Sequence, residues 1–153
     1  MSTRIINEGW LAGILDGEGC IFVSKPQNNT NGRHRFEIRV IITNSSKLLL
    51  KKVENILREL QIQYKLVDNS LKRIPYIIIT KKVEIVKILE LVLSELTCKK
   101  YSAEVVMEYI KKWPDSETHW GRKGAPEQQI KDYIKIYNIL KEQKGKSFRF
   151  LET

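Results

Sequence analysis

Residues 11–20 read LAGILDGEGC. The stretch sets Gly13, Gly17 and Gly19 and the acids Asp16 and Glu18 beside an apolar run. Glycine inside a helix costs roughly 1 kcal/mol relative to alanine, so two of them one turn apart need a structural return. Asn7 is a suitable N-cap for a helix over about 8–17. On that helix Gly13 and Gly17 share one face, and small residues at this spacing let two helix backbones approach closely. The stretch occurs once in the chain, so the partner helix would come from a second copy related by a twofold axis. Both copies of Glu18 would then meet near the axis, at helix ends where carboxylates are unfavourable. A divalent cation there would neutralise them and recruit water. Read without a partner, DGEG is a turn after a buried helix with Glu18 in solvent. The ligand spacing of an EF-hand is missing.

The chain has 153 residues, with 27 Lys and Arg against 18 Asp and Glu, a formal net charge of +9. That length suggests one domain, spanning 1–153, and a hydrophobic content of 42% supports a sizeable core. The positive excess favours a polyanionic partner, chiefly nucleic acid. Cys20 and Cys98 form no CxxC, and with His34 and His119 they do not make a zinc site. A reducing compartment fits best. No apolar run reaches the roughly 18 residues of a membrane span, and MSTRIINEGW lacks a signal peptide's apolar core. The expectation is an intracellular protein without a membrane partner, in the cytoplasm of a prokaryote or in an organelle.

After the opening helix, CIFVS alternates as a strand, and KPQNNTNGR reads as a loop. RHRFEIRVIIT is a half-buried strand. Phe36, Ile38, Val40 and Ile42 lie on one face, and Arg33, Arg35, Glu37 and Arg39 on the other. From Ser46 to about Leu60 the apolar spacing is helical. YKLV and YIIIT are strands joined by DNSLKRI, and Pro75 places the second at a sheet edge or a strand end. KVEIVKILELVLSEL predicts a helix, SAEVVMEYIKKW another capped by Ser102 and stopped by Pro114, and a last helix covers about 127–143. The order αββαββα plus C-terminal helices is an α+β fold, an antiparallel sheet with helices on one face.

LAGILDGEG resembles the motif of the LAGLIDADG homing endonucleases. It departs by Ile-Leu for Leu-Ile, by Gly17 for alanine and by Glu18 for aspartate. Two ββα units follow it in a basic chain, and the resemblance extends to about Trp113. A single motif implies a homodimer joined through Gly13 and Gly17, a saddle-shaped sheet, and Mg²⁺-dependent cleavage of both strands of a long, near-palindromic double-stranded DNA site, in the service of intron homing. By the same resemblance Glu18 is a catalytic residue and binds the metal, and Gly17 adds its backbone carbonyl. Phosphodiester hydrolysis needs an activated water and neutralisation of developing charge, which agrees. Asn44, next in phase after Ile42, matches a polar residue that orders solvent in the active site, although Asn also suits a cap of the following helix. Lys99, with Lys100 as its rival, matches a basic residue before the helix after the second ββα unit. Lys47 is the nearest match to a basic residue at the start of the first long helix.

A twisted antiparallel sheet fits the major groove with its outward side chains at base edges. The expected DNA-binding set is Arg33, Arg35, Glu37 and Arg39, extended by Ser24, Lys25, Gln27, Asn28 and Asn29 in the first loop. Lys65, Asp68, Asn69, Lys72 and Arg73 continue it in the second hairpin. Lys111, Lys112, Arg122 and Lys123 suit phosphates or solvent. Two other readings compete: an RNA maturase of the same family, bound to intron RNA, and an unrelated small basic RNA-binding protein. The second would not need paired glycines or an acid at a helix end.

Overall fold

The computed structural model describes residues 3–26, 36–68, 73–114 and 125–149, with side chains described from 7 to 144 within those ranges. The expected Gln27, Asn28, Asn29, Arg33 and Arg35, and also Asn69, Lys72, Arg122 and Lys123, lie outside the described residues.

Helix α1 (Thr3–Glu18) leads into strands β1 (Gly19–Val23) and β2 (Ile38–Thr43), then helix α2 (Lys47–Glu59). Strands β3 (Lys65–Val67) and β4 (Tyr76–Ile79) and helix α3 (Lys82–Val92) repeat the pattern. A 3₁₀ turn (Leu93–Glu95), α4 (Lys100–Lys112) and α5 (Glu127–Arg149) complete the chain. The sheet order is β1-β2-β4-β3, antiparallel throughout, with Val40 opposite Ile21 on one side and Ile79 on the other. The two ββα units therefore join through β2 and β4, as α+β patterning requires.

Alternation decides which face is covered. Phe36, Ile38, Val40 and Ile42 are all buried, with Ile21, Val23, Ile77 and Ile79 beside them. Leu50, Val53, Ile56 and Leu57 of α2 and Ile85, Ile88, Leu89 and Val92 of α3 join the same buried cluster. α2 ends where Gln61 takes a positive φ of 57°. That turn returns Ile62 to the core, its N–H donating to the Leu57 carbonyl at 2.9 Å.

Four local expectations are corrected. α1 begins at Thr3, not after Asn7. The Asn7 side chain instead donates to Glu59 Oε2 of α2 at 2.9 Å, a tertiary partner in place of a capping role. α4 begins at Lys100, so Ser102 is a buried residue inside it and not its cap. The helix expected through Leu96 tightens into 3₁₀ geometry at Leu93. α5 continues beyond 143, to Arg149.

α5 runs beside β1, an edge strand. Its Tyr133 is fully buried, with its ring stacked on Phe36 at 4.2 Å between centroids. The Tyr133 hydroxyl donates to the Ser24 carbonyl at 2.8 Å and pairs with Ser24 Oγ at 2.7 Å, and Ser24 Oγ accepts from the Glu37 N–H at 3.2 Å. Farther along α5, Lys144 Nζ lies 3.7 Å from Cys20 Sγ. Asp132 ties α5 to α4, accepting from Trp113 Nε1 at 2.9 Å and pairing with Lys112 at 2.8 Å. Hydrogen bonds from Lys112 first, then Trp113, hold the Asp132 carboxyl down at about 2.

Burial pushes the Tyr133 phenol up to about 12. An unfolded tyrosine ionises near pH 10, so the folded state holds more protons between about pH 10 and about pH 12. Tyr133's contribution to stability is complete below that window and is lost as pH rises through it. Urea unfolding across the window is expected to show a smaller decline for Tyr133→Phe than for the parent chain, because phenylalanine has no proton to lose.

Candidate functional site

The last turn of α1 divides its two acids. Glu18 is exposed at the helix end and forms no hydrogen bond or ion pair among the described residues. Asp16 does the opposite. Its Oδ2 accepts from the Thr97 N–H at 2.7 Å and its Oδ1 from the Lys99 N–H at 3.1 Å. Lys99 Nζ in turn donates to the Asp16 carbonyl at 2.6 Å. Lys99 is the N-cap residue of α4 and has no capping side-chain bond of its own. The carboxylate of α1 supplies the missing acceptor, and the ammonium of Lys99 covers a carbonyl left over at the end of α1. This exchange is why α4 begins before Ser102.

The sequence reading missed Asp16. The available signal was its position, since a carboxylate in the last turn of a helix opposes the dipole unless donors from elsewhere meet it. The same exchange separates the two lysines expected before α4: Lys99 is half-buried at the end of α1, whereas Lys100 is exposed.

Gly13 and Gly17 are exposed, and a Cβ built on either, or on Gly9, meets nothing within 4 Å. Packing within the described part of the chain therefore does not require these glycines, and Gly9 extends their stripe by one turn. Gly19 differs. A Cβ there would stand 2.8 Å from the Leu15 Cα and carbonyl oxygen. The helix-to-strand turn that brings Glu18 to the sheet end thus depends on a residue without a side chain.

Asn44 follows β2 and is half-buried. Its Oδ1 accepts from the Ser46 N–H at 2.8 Å, and Ser46 Oγ caps α2 by accepting from Leu49 N–H at 3.3 Å. Asn44 thus shapes the turn into α2 without being its cap, and one end of its amide makes no hydrogen bond among the described residues. Lys47 is exposed and paired with Asp68 at 3.2 Å.

Arg39 projects from the uncovered sheet phase, opposite Phe22, and its guanidinium pairs with Glu37 at 2.7 Å. Lys65 belongs to the same phase, opposite Ile78. Ile41 and Ile78 stand opposite one another between them. The described part of this face is therefore mixed, with charged residues flanking an apolar centre. Lys25 and Arg73 are exposed. Ser24 departs from its expected place in the outer set, because its hydroxyl is engaged by Tyr133 and by the Glu37 N–H. Among the described residues no three His, Cys, Asp or Glu gather as a metal-binding group. No described helix is long and apolar enough to cross a membrane.

The family model described as the LAGLIDADG-like domain matches residues 6–93, more than half of the chain. The chain belongs to the LAGLIDADG family. Among solved structures, the archaeal intron-encoded homing endonuclease I-Vdi141I complexed with DNA is similar at a TM-score of 0.68 with 21% identity, over 90% of this chain and 84% of that one. The homing endonuclease I-CvuI in complex with the I-CreI target gives 0.64 and 16%, over 90% and 96%. The LAGLIDADG homing endonuclease I-GzeII in complex with its DNA target gives 0.64 and 18%, over 84% of this chain but 43% of that one. At these identities the likeness establishes the LAGLIDADG fold. A comparison with curated proteins by sequence finds no match.

Gly19→Ala is expected to destabilise the protein by about 1–3 kcal/mol, the usual cost of forcing atoms into a filled space. A lower urea midpoint with an unchanged slope checks it.

Proposed function

We propose that the protein is a site-specific double-strand DNA endonuclease that works as a homodimer, with a divalent metal, Mg²⁺ by expectation, and that its 153 residues act as one domain. Glu18 supports this reading most directly: an exposed carboxylate with no partner among the described residues ends the helix whose glycine face is open. A structural acid would have donors, as the half-buried Asp16 does.

The donors fit an open site for a hard cation. Glu18 and the Gly17 carbonyl supply oxygen, and among the described residues no cluster of acids gathers to close a coordination shell. Magnesium is commonly held by one or two carboxylates, with phosphate and water filling the remaining positions. When bound, such a metal lowers the pKa of water and offsets charge on a transferring phosphoryl group. The chain's own contributions follow from placement. Glu18 holds the cation at the helix end. Lys99 brings a positive charge to the last turn of the same helix, where it balances charge developing on the phosphate. Asn44, with one side of its amide uncommitted, orients solvent.

Gly9, Gly13 and Gly17 offer a flat backbone surface to the same helix of a second copy. Twofold pairing would serve two scissile phosphates, one per strand. I-CvuI, which has nearly the same extent as this chain, is described with Mg and with Ca, and I-Vdi141I as intron-encoded. Those descriptions support divalent metal use and intron homing as the reading here. DNA recognition falls to the uncovered sheet face. Glu37 fixes the Arg39 guanidinium through one of its donors and leaves others for guanine or phosphate. Lys25, Lys65, Arg73 and the expected residues of both hairpins extend the surface, with Asp68 available once its pairing to Lys47 opens.

A random-sequence duplex library incubated with and without Mg²⁺ tests the activity. The parent protein is expected to cut both strands only with metal. Glu18→Gln is expected to keep binding and to lose at least about 100-fold in cleavage rate, because the metal's transition-state stabilisation is worth several kcal/mol. Binding to intron RNA with no cleavage of DNA in any metal would support the maturase reading instead. In sedimentation velocity Gly13→Leu is expected to run as a monomer, and an undiminished dimer would refute the assignment of the α1 face.

A further inference from the structure

We infer that Asp16 is a positioning residue for Lys99: by fixing the backbone ahead of α4 against the end of α1, it sets where the Lys99 amine stands relative to Glu18. The inference rests on the role proposed above for Lys99 in cleavage.

Three observations carry it. The Asp16 carboxylate binds two backbone N–H groups, those of Thr97 and Lys99, at 2.7 and 3.1 Å, and hydrogen bonds to an ionised acceptor are among the stronger ones. The Lys99 side chain has a flexible four-carbon stem, so its amine is located only if both ends are held. The Lys99 N–H is held by the Asp16 carboxylate, and its Nζ by the Asp16 carbonyl at 2.6 Å. Finally, the carboxylate is occupied by N–H groups and does not form an ion pair with the ammonium. The lysine is placed without its charge being cancelled, which a group meant to meet phosphate requires. Lys100, one residue later and exposed, has no comparable restraint among the described residues.

The test uses full-length dimer and one duplex that the parent protein cuts, drawn from the library above. Single-turnover cleavage rates are compared for the parent, Asp16→Asn, Lys99→Met and the double variant. DNA affinity without metal and the melting temperature are measured for each. Asp16→Asn is expected to slow cleavage about 10- to 100-fold, the penalty of misplacing a catalytic group by about an ångström. Its DNA affinity should stay near that of the parent, while the melting temperature falls with the lost hydrogen bonds, so rates are compared at a temperature where every variant is folded. In the Lys99→Met background the same change is expected to add nothing, since residues acting as a unit are not additive.

Equal slowing by Asp16→Asn in both backgrounds would overturn the inference, as would no slowing in the parent. Lys99→Met cutting at the parent rate would remove the proposed role of Lys99 and this inference with it. Slowing by Lys99→Met alone would remove only the inference. Thr97→Pro provides a second route if Asp16→Asn does not fold. It deletes one of the two N–H donors while leaving Asp16 intact, and the extended backbone of Leu96 (φ −71°, ψ 138°) suits a following proline. The same slowing, cancelled in the Lys99→Met background, is expected, and additive slowing or none overturns the inference.

Discussion

Two helix ends of opposite polarity meet where α1 stops and α4 starts. The Asp16 carboxylate answers the positive end of α4, and the Lys99 ammonium answers the negative end of α1. Each contact is favourable with the dipole it faces. Together they lock the angle at which α1 leaves the helical layer and enters the sheet. The placement of Glu18 depends on that angle, because the helix passes into β1 with only Gly19 at the junction. A side chain at Gly19 would push on the backbone of Leu15, and a loose α1 end would let the exposed carboxylate wander.

The layers of the fold were readable because they depend on periodicity. Phe36, Ile38, Val40 and Ile42 alternate in sequence and are buried in space, and Leu50, Val53, Ile56 and Leu57 keep helical spacing and pack beneath the sheet. The errors fell where a local signal met a distant partner. Asn7 has the chemistry of a cap, but its amide reaches Glu59, 52 positions away. Ser102 has it too, but the acceptor for α4 arrives from Asp16, 83 positions before Lys99. Local propensity does not register an acceptor on another element.

The site shows the same division. Glu18 is proposed from the sequence because an acid at the end of a glycine-bearing helix is unusual by type alone, and Lys99 and Asn44 are proposed from the family resemblance. Asp16 stood in the same quoted stretch, yet its partners are created only by the fold. Ser24 is the converse case. It looked like an outward residue of the first loop, but Tyr133 from the far end of the chain takes its hydroxyl and its carbonyl. One aromatic residue of α5 thus holds both strands of the first hairpin at the point where they leave the sheet.

The sheet's two borders are treated differently. α5 lies along β1, while β3 at the other border has only three residues and begins with an exposed lysine. A short, charged border is a poor template for adding further strands. With one margin covered and the other blunted, strand-by-strand growth of the open-ended kind seen in fibrils is disfavoured at both sides. Edge-to-edge addition of further copies of this chain is thereby disfavoured at both borders of the sheet.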